Sequence, residues 1–262
     1  MSGRLATLHP VLVLSTQATA FATSCFLIAA RAGGPCLVLD PGAGAADEVE
    51  RLARLHRLRP VVAAATHGHP DHVWDAAAVT DRWGIPFLLG EPDVDRLVEP
   101  AATLGPGMAE AFTALTGTPW RRPAVVAPLP AGGLADAGRD LGFELDLDVV
   151  LVPAPGHTPG STLYLAHGDV DAASDLPAPV DGAQPPSRTL AFTGDVLFAG
   201  SIGRVDLPGG DGATMVRTLR GLRDKIPADA WVLPGHGAIS TMGRELARNP
   251  YLDDRWLATA VL

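Results

Sequence analysis

Thr66-His67-Gly68-His69-Pro70-Asp71-His72 directly follows the apolar run Val61–Ala65. The run reads as a short buried strand and the seven residues as the turn that leaves it. Three imidazoles and a carboxylate therefore crowd the end of one strand. Packing gives no reason for this, because buried polar groups need partners. In such a turn His67 and His69 can face one metal while Asp71 and His72 face a second. Neutral imidazole and carboxylate are the usual donors to zinc or iron.

Upstream of this turn, Val11–Ser15, Phe21–Ala30 and Cys36–Asp40 read as strands, the last closed by the turn Pro41-Gly42. Residues Ala46–Leu58 keep Val49, Leu52, Ala53, Leu55 and Leu58 at helical spacing. Downstream, a helix is expected over Val73–Trp83 and a strand over Ile85–Leu89. This alternation marks an α/β chain. Between Glu91 and Asp140 the signal weakens, leaving two short helices near Val94–Val98 and Met108–Leu115. Strands resume at Phe143–Val152, Ser161–Ala166, Thr189–Thr193 and Trp231–Leu233. Helices are expected over Thr214–Lys225, Thr241–Arg248 and Tyr251–Thr259. The stretch His167–Arg188, rich in Asp, Ala and Pro, reads as an extended, mobile surface loop. No repeat and no linker divides the chain, so residues 1–262 read as one domain with a helical insertion at 91–140 and a loop at 167–188.

Three further strand ends carry ligand-type residues from far away in sequence: His157 in Pro155-Gly156-His157-Thr158-Pro159-Gly160, Asp195 after Thr189–Thr193, and His236 in Pro234-Gly235-His236-Gly237. Strand ends hold side chains rigidly over a common crevice, as a metal site requires. His9, His56 and His167 lack such a context and are expected to be structural or exposed.

The 262 residues include 29 acidic and 20 basic side chains, for a net charge of −9. Hydrophobic residues make up 47% and mean hydropathy is +0.19, which excludes global disorder. The acidic balance argues against a nucleic-acid surface. Cys25 and Cys36 cannot form a disulfide framework and read as buried thiols of a reducing compartment. His9, Pro10 and Ser15-Thr16-Gln17 interrupt any signal-peptide core near the start, and no apolar run approaches the ~18–20 residues of a membrane span. A cytoplasmic chain without nucleic-acid or membrane partners is expected.

Taken together, the 66–72 motif, Pro155–Ser161, Thr193-Gly194-Asp195-Val196-Leu197-Phe198, Gly203-Arg204-Val205-Asp206, Leu233–Gly237 and the spacing of Glu245 to Asn249-Pro250 resemble the metallo-β-lactamase superfamily. More narrowly they resemble its glyoxalase II-like, hydroxyacylglutathione hydrolase-like branch, over about Val11 to Leu252. The resemblance implies an α/β, four-layer αβ/βα sandwich with metals at one edge. By motif, His67, His69 and His157 would bind a first ion, and Asp71, His72 and His236 a second, with Asp195 bridging them. Ser24 stands where many relatives carry Asn.

The implied cofactors are two divalent ions, zinc first, with iron or manganese as alternatives. Such a pair lowers the pKa of a shared water from 15.7 towards ~7, giving a hydroxide for attack on the carbonyl of a small-molecule thioester. Asp71 would also orient that nucleophile as a catalytic residue. Arg204 is the leading candidate to clamp an anionic thiol carrier, unless it merely pairs with Asp206; Arg244 and Arg248 are further candidates. Hydrolysis of an S-2-hydroxyacyl thiol ester is the expected activity. The alternatives are persulfide dioxygenation at mononuclear iron, or hydrolysis of another ester, lactone or β-lactam.

Overall fold

The computed structural model describes residues 10–131, 133–180, 182 and 187–260, so His9 lies outside the described residues. Its strands are β1 (Pro10–Gln17), β2 (Ser24–Ala29), β3 (Pro35–Leu39), β4 (Arg59–Ala64), β5 (Phe87–Leu89), β6 (Val126–Pro128), β7 (Val149–Pro153), β8 (Thr162–His167), β9 (Asp169–Val170), β10 (Thr189–Gly194), β11 (Leu197–Phe198), β12 (Ser201–Ile202), β13 (Trp231–Pro234) and β14 (Ser240–Thr241). One sheet runs β6-β5-β4-β3-β2-β1-β9 and a second β14-β13-β10-β8-β7, while β11 and β12 form a small hairpin. Helices are α1 (Ala46–Leu55), α2 (Pro70–Val73), α3 (Ala76–Trp83), α4 (Pro106–Thr116), α5 (Leu134–Leu141), α6 (Gly212–Lys225), α7 (Met242–Arg248) and α8 (Asp254–Thr259).

The layering follows from strand alternation. In β1, Val11 and Val13 point into a central core shared with Phe26, Ile28, Leu151, Tyr164 and Phe192, which come from both sheets. Leu12 and Leu14 point the other way, into a layer with Val49, Leu52 and Val79 of α1 and α3. On the second sheet, Ala191 and Val232 face Met215, Leu219 and Leu222 of α6. Three apolar layers between two sheets and two helical covers make the four-layer αβ/βα sandwich. Strands buried on both faces are continuous apolar runs, which is why they were recognisable without an alternating pattern. Phe26 meets Phe192 edge-on across the sheets at 5.0 Å, and the Tyr164 hydroxyl donates to the Ala65 carbonyl at 3.0 Å.

Several elements depart from expectation for local reasons. The helix after the metal-type motif starts earlier, because Pro70 suits a first helical turn, and it is broken into α2 and α3. The second strand begins only at Ser24, since Phe21 and Ala22 are left-handed, with φ of 60° and 54°. The strand expected over Phe143–Val152 is confined to β7, and α5 precedes it, stopped by left-handed Gly142. Within 91–140 the first helix is a 3₁₀ helix at Glu91–Val98, followed by another at Pro100–Leu104 and by α4. In the 167–188 stretch, β9 pairs parallel with β1, and the Asp175 N–H donates to the Val13 carbonyl at 3.0 Å. His56 caps α1 and His167 neighbours the Thr189 hydroxyl. Both cysteines are buried and free. No helix among the described residues is long and apolar enough to cross a membrane.

Candidate metal centre

The C-terminal ends of β3, β4, β7, β10 and β13 meet at one edge of the sandwich, and each delivers a polar residue there: Asp40, the 66–72 turn, His157, Asp195 and His236. His67, His69 and His157 bring their ligand nitrogens together. His67 Nε2 lies 3.0 Å from His69 Nδ1, and His157 Nε2 lies 2.9 Å from His69 Nδ1 and 3.2 Å from His67 Nε2. Asp71, His72 and His236 form a second group: His236 Nε2 is 3.1 Å and His72 Nε2 3.4 Å from Asp71 Oδ2. Asp195 stands between the groups. One or other of its oxygens is 3.3 Å from His72 Nε2, 3.5 Å from His236 Nε2 and 3.7 Å from His157 Nε2. All seven expected ligands are thus gathered in one place.

The surrounding groups decide which imidazole nitrogens carry protons. His157 Nδ1 donates to the Arg204 carbonyl at 2.7 Å, which leaves Nε2 bare. The Thr66 hydroxyl donates to Asp40, 3.0 Å from Oδ2, and so accepts from His67 Nδ1 at 3.1 Å. His67 Nε2 is therefore bare as well. Bare nitrogens 3 Å apart repel each other unless a cation sits among them, and ligands ~2.0–2.1 Å from a tetrahedral ion stand ~3.3 Å apart. His72 Nε2 and Asp195 Oδ1 are buried without a hydrogen-bond partner, which is costly unless a further group binds there. The donor set fits two divalent ions.

Electrostatics separates the two groups. Burial, reinforced by neighbouring imidazoles, holds His67 well below the ordinary histidine value and His69 down to about 3, and burial also lowers His157. All three are neutral at pH 7, as imidazoles that donate to a metal must be. Burial opposes charge on His236 too, but the hydrogen bonds that it donates to Asp195 and Asp71 outweigh it and push His236 up to about 9. His72 is likewise raised, as Asp71, Asp40 and Asp195 overcome its burial. Opposing its own burial, His72 and His236 hold Asp71 low, and Asp195 lower still.

Supporting residues that the sequence reading passed over now have roles. Asp40 adopts the left-handed region, with φ 56°, which an aspartate tolerates, and turns its carboxylate back towards Thr66 and His72. Its Oδ2 is 3.1 Å from His72 Nδ1, off the hydrogen-bond direction. The Thr23 hydroxyl donates to Asp71 Oδ2 at 2.8 Å. In sequence Thr23 falls within the strand expected over Phe21–Ala30, and only the closing end of Cys36–Asp40 hints at Asp40. The Glu245 to Asn249-Pro250 spacing noted in the sequence also gains a role: fully buried Glu245 accepts from the Gly200 N–H and from Asn249 Nδ2, fastening α7 to the hairpin that follows Asp195.

Three aromatic or basic residues form the rim. The Phe21 carbonyl accepts from His236 Nδ1 at 3.2 Å, and its ring, 39% exposed, packs on Phe112 of α4. Phe198 lies 6.3 Å from the His236 ring. Arg204 is exposed, paired with Asp206 through two bonds of 2.7 and 2.8 Å, and reaches Met108 of α4. Arg244 is turned to Glu245 at 2.6 Å, and Arg248 is exposed near the end of α7. A cavity of about 1010 Å³ beside Arg59, Trp83 and Phe143 lies at the opposite end of β4, and none of the seven ligands lines it.

Comparison with known proteins agrees with this geometry. The family model described as the metallo-beta-lactamase superfamily matches residues 18–173.

The chain belongs to the metallo-beta-lactamase superfamily.

Members of this superfamily are metal-dependent hydrolases that bind divalent ions, and the converging His/Asp groups of this chain could hold such ions. This member is 33% identical to an uncharacterized protein of Mycobacterium tuberculosis, over 93% of this chain and 98% of that one. It is 30% identical to a hydroxyacylglutathione hydrolase of Haemophilus influenzae, over 90% of this chain and 96% of that one. Among solved structures, a protein crystallised in a di-iron-bound form superposes with a TM-score of 0.66 at 26% identity, over 92% of this chain and all of that one.

Proposed function

We propose that this superfamily member hydrolyses an S-2-hydroxyacyl thioester of a small anionic thiol at a two-metal centre. The observation that carries the reading is the gathering of His67, His69 and His157 beside Asp71, His72 and His236, with Asp195 in contact with both groups. Its substrate class is supported by the Haemophilus influenzae hydroxyacylglutathione hydrolase, which is similar along nearly its whole length. When bound, the two ions would supply a water ionised near neutral pH and a Lewis acid for the carbonyl.

The chain's own residues do the rest. Asp71, with one oxygen held by the Thr23 hydroxyl, orients the attacking water. Arg204 at the rim clamps the anionic carrier, exchanging its exposed partner Asp206 for the substrate. Phe21 and Phe198 offer an apolar wall beside His236. Zinc is the first metal to load; iron follows it, given the similar protein that holds two irons.

The test is hydrolysis of S-D-lactoylglutathione by the zinc-loaded and iron-loaded chain, followed by loss of thioester absorbance. His69→Ala, which removes a first-group ligand, is expected to lower turnover by at least a thousandfold. No turnover from a chain carrying two ions of either metal overturns glutathione as the carrier, and the same result with the lactoyl thioesters of other small thiols overturns the thioester reading. Oxygen uptake with a thiol persulfide by an iron-loaded chain that is inert on thioesters would replace it with dioxygenation.

A further inference from the structure

Asp93 is fully buried, yet it lies in the segment with the weakest sequence signal, and its hydrogen-bond partners are none of the seven residues of the centre. Its carboxylate takes four partners. Oδ2 accepts from the Gly68 N–H at 2.8 Å and from the Thr158 hydroxyl at 2.7 Å. Oδ1 accepts from the Gly160 N–H at 2.9 Å and lies 3.1 Å from Nε of Arg96. Gly68 is the residue between His67 and His69, and Thr158 is the residue after His157. One carboxylate therefore grips both loops that supply the first group of imidazoles, which come from different sheets.

The grip extends to a third loop. Arg96 Nη2 donates to the Pro208 carbonyl at 2.7 Å. That loop also contains Arg204, whose carbonyl accepts from His157 Nδ1. Close approach is built into the loops. A Cβ on Gly160 would come within 2.6 Å of Asp93 Cγ, and one on Gly68 within 2.9 Å of Arg96 Cδ. A buried carboxylate is tolerated only when such donors surround it, and these donors are two backbone amides, a hydroxyl and a guanidinium.

We infer that Asp93 is a positioning residue that fixes the spacing of His67, His69 and His157 and so sets the affinity of that site for its metal. The inference rests on these histidines being metal ligands, and not on the identity of the substrate. Residues that orient ligands from behind typically cost 10–100-fold in metal affinity when replaced. In Asp93→Asn one carboxylate oxygen becomes an NH₂ facing N–H or O–H donors, so the two loops lose a shared acceptor while side-chain size is kept. Thr158→Val removes one of the four partners of Asp93, together with the bond of the same hydroxyl to the Ser161 hydroxyl, and leaves the carboxylate itself in place.

The experiment is zinc binding by chelator competition on the full chain, resolving its two sites, for wild type, Asp93→Asn and Thr158→Val. The visible spectra of the cobalt-loaded proteins report ligand geometry alongside. Expected is a 10–100-fold loss of zinc affinity at one site in Asp93→Asn, a smaller loss at the same site in Thr158→Val, and little change at the other. The cobalt bands of the affected site should shift. Folded variants with wild-type zinc affinities and spectra, and merely lower Tm, would show that Asp93 only supports the fold and would overturn the inference. If Asp93→Asn does not fold, Thr158→Val decides by the same reading. A wild type that binds two zinc ions but cleaves no thioester removes the proposed substrate and leaves this test intact. A wild type that binds no zinc removes the ligand assignment itself.

Discussion

His236 and His69 are both metal-type imidazoles, but their surroundings give them opposite proton affinities. His69 is kept neutral down to about 3 by burial, while Asp195 and Asp71 hold a proton on His236 up to about 9. A metal entering the Asp71–His72–His236 group must displace that proton, whereas one entering the His67–His69–His157 group displaces none. Zinc affinity at one site should therefore rise about tenfold or more per pH unit between pH 6 and 9, and stay nearly flat at the other. Calorimetric zinc titrations in buffers of different ionisation enthalpy count the protons released; equal release at both sites would refute the assignment. The seven ligands were legible because their motifs are dense in chemistry and follow strands. Asp40, Thr23 and Asp93 were not, and neither was the bond that joins Thr66 to Asp40. Each is a lone polar residue whose partner lies 25 or more positions away or whose role depends on the direction of one hydrogen bond.

At the scale of elements, the strands buried on both faces were the most readable, since burial on two sides demands unbroken apolar runs. Short elements that depend on distant partners were the least. The strand β9 is two residues long and exists only through pairing with β1, some 160 positions earlier. β6 similarly exists by extending the edge at β5. The central layer should behave as one unit joining the two sheets, and Phe192 is its test because its ring meets Phe26 of the facing sheet. Phe192→Ala removes a buried ring and leaves a cavity, at an expected cost of about 3–5 kcal/mol. Urea denaturation of the metal-loaded protein checks this, and a loss below about 1 kcal/mol would mean that the two sheets do not share a tightly packed layer.

For the whole molecule, the metal centre is also a structural device, because it ties the ends of strands from both sheets. Without ions, buried Asp71 and partly buried Asp195 are balanced mainly by protonated His72 and His236. The sign of the pH dependence follows. A histidine raised from 6.5 to about 9 contributes stability that is full below 6.5 and disappears as pH rises through about 9. The metal-free chain should thus weaken over this interval, while the metal-loaded chain gains as proton competition for the second site fades. At free zinc a thousandfold above Kd, one site adds about 4 kcal/mol, roughly 10 °C in Tm for a chain of this size. The gap in Tm between zinc-loaded and chelator-treated protein is expected to widen from pH 6 to pH 9. Thermal melts at both pH values measure it. A gap that stays constant or narrows would mean that the carboxylates of the centre do not depend on His236 for their balance in the metal-free fold.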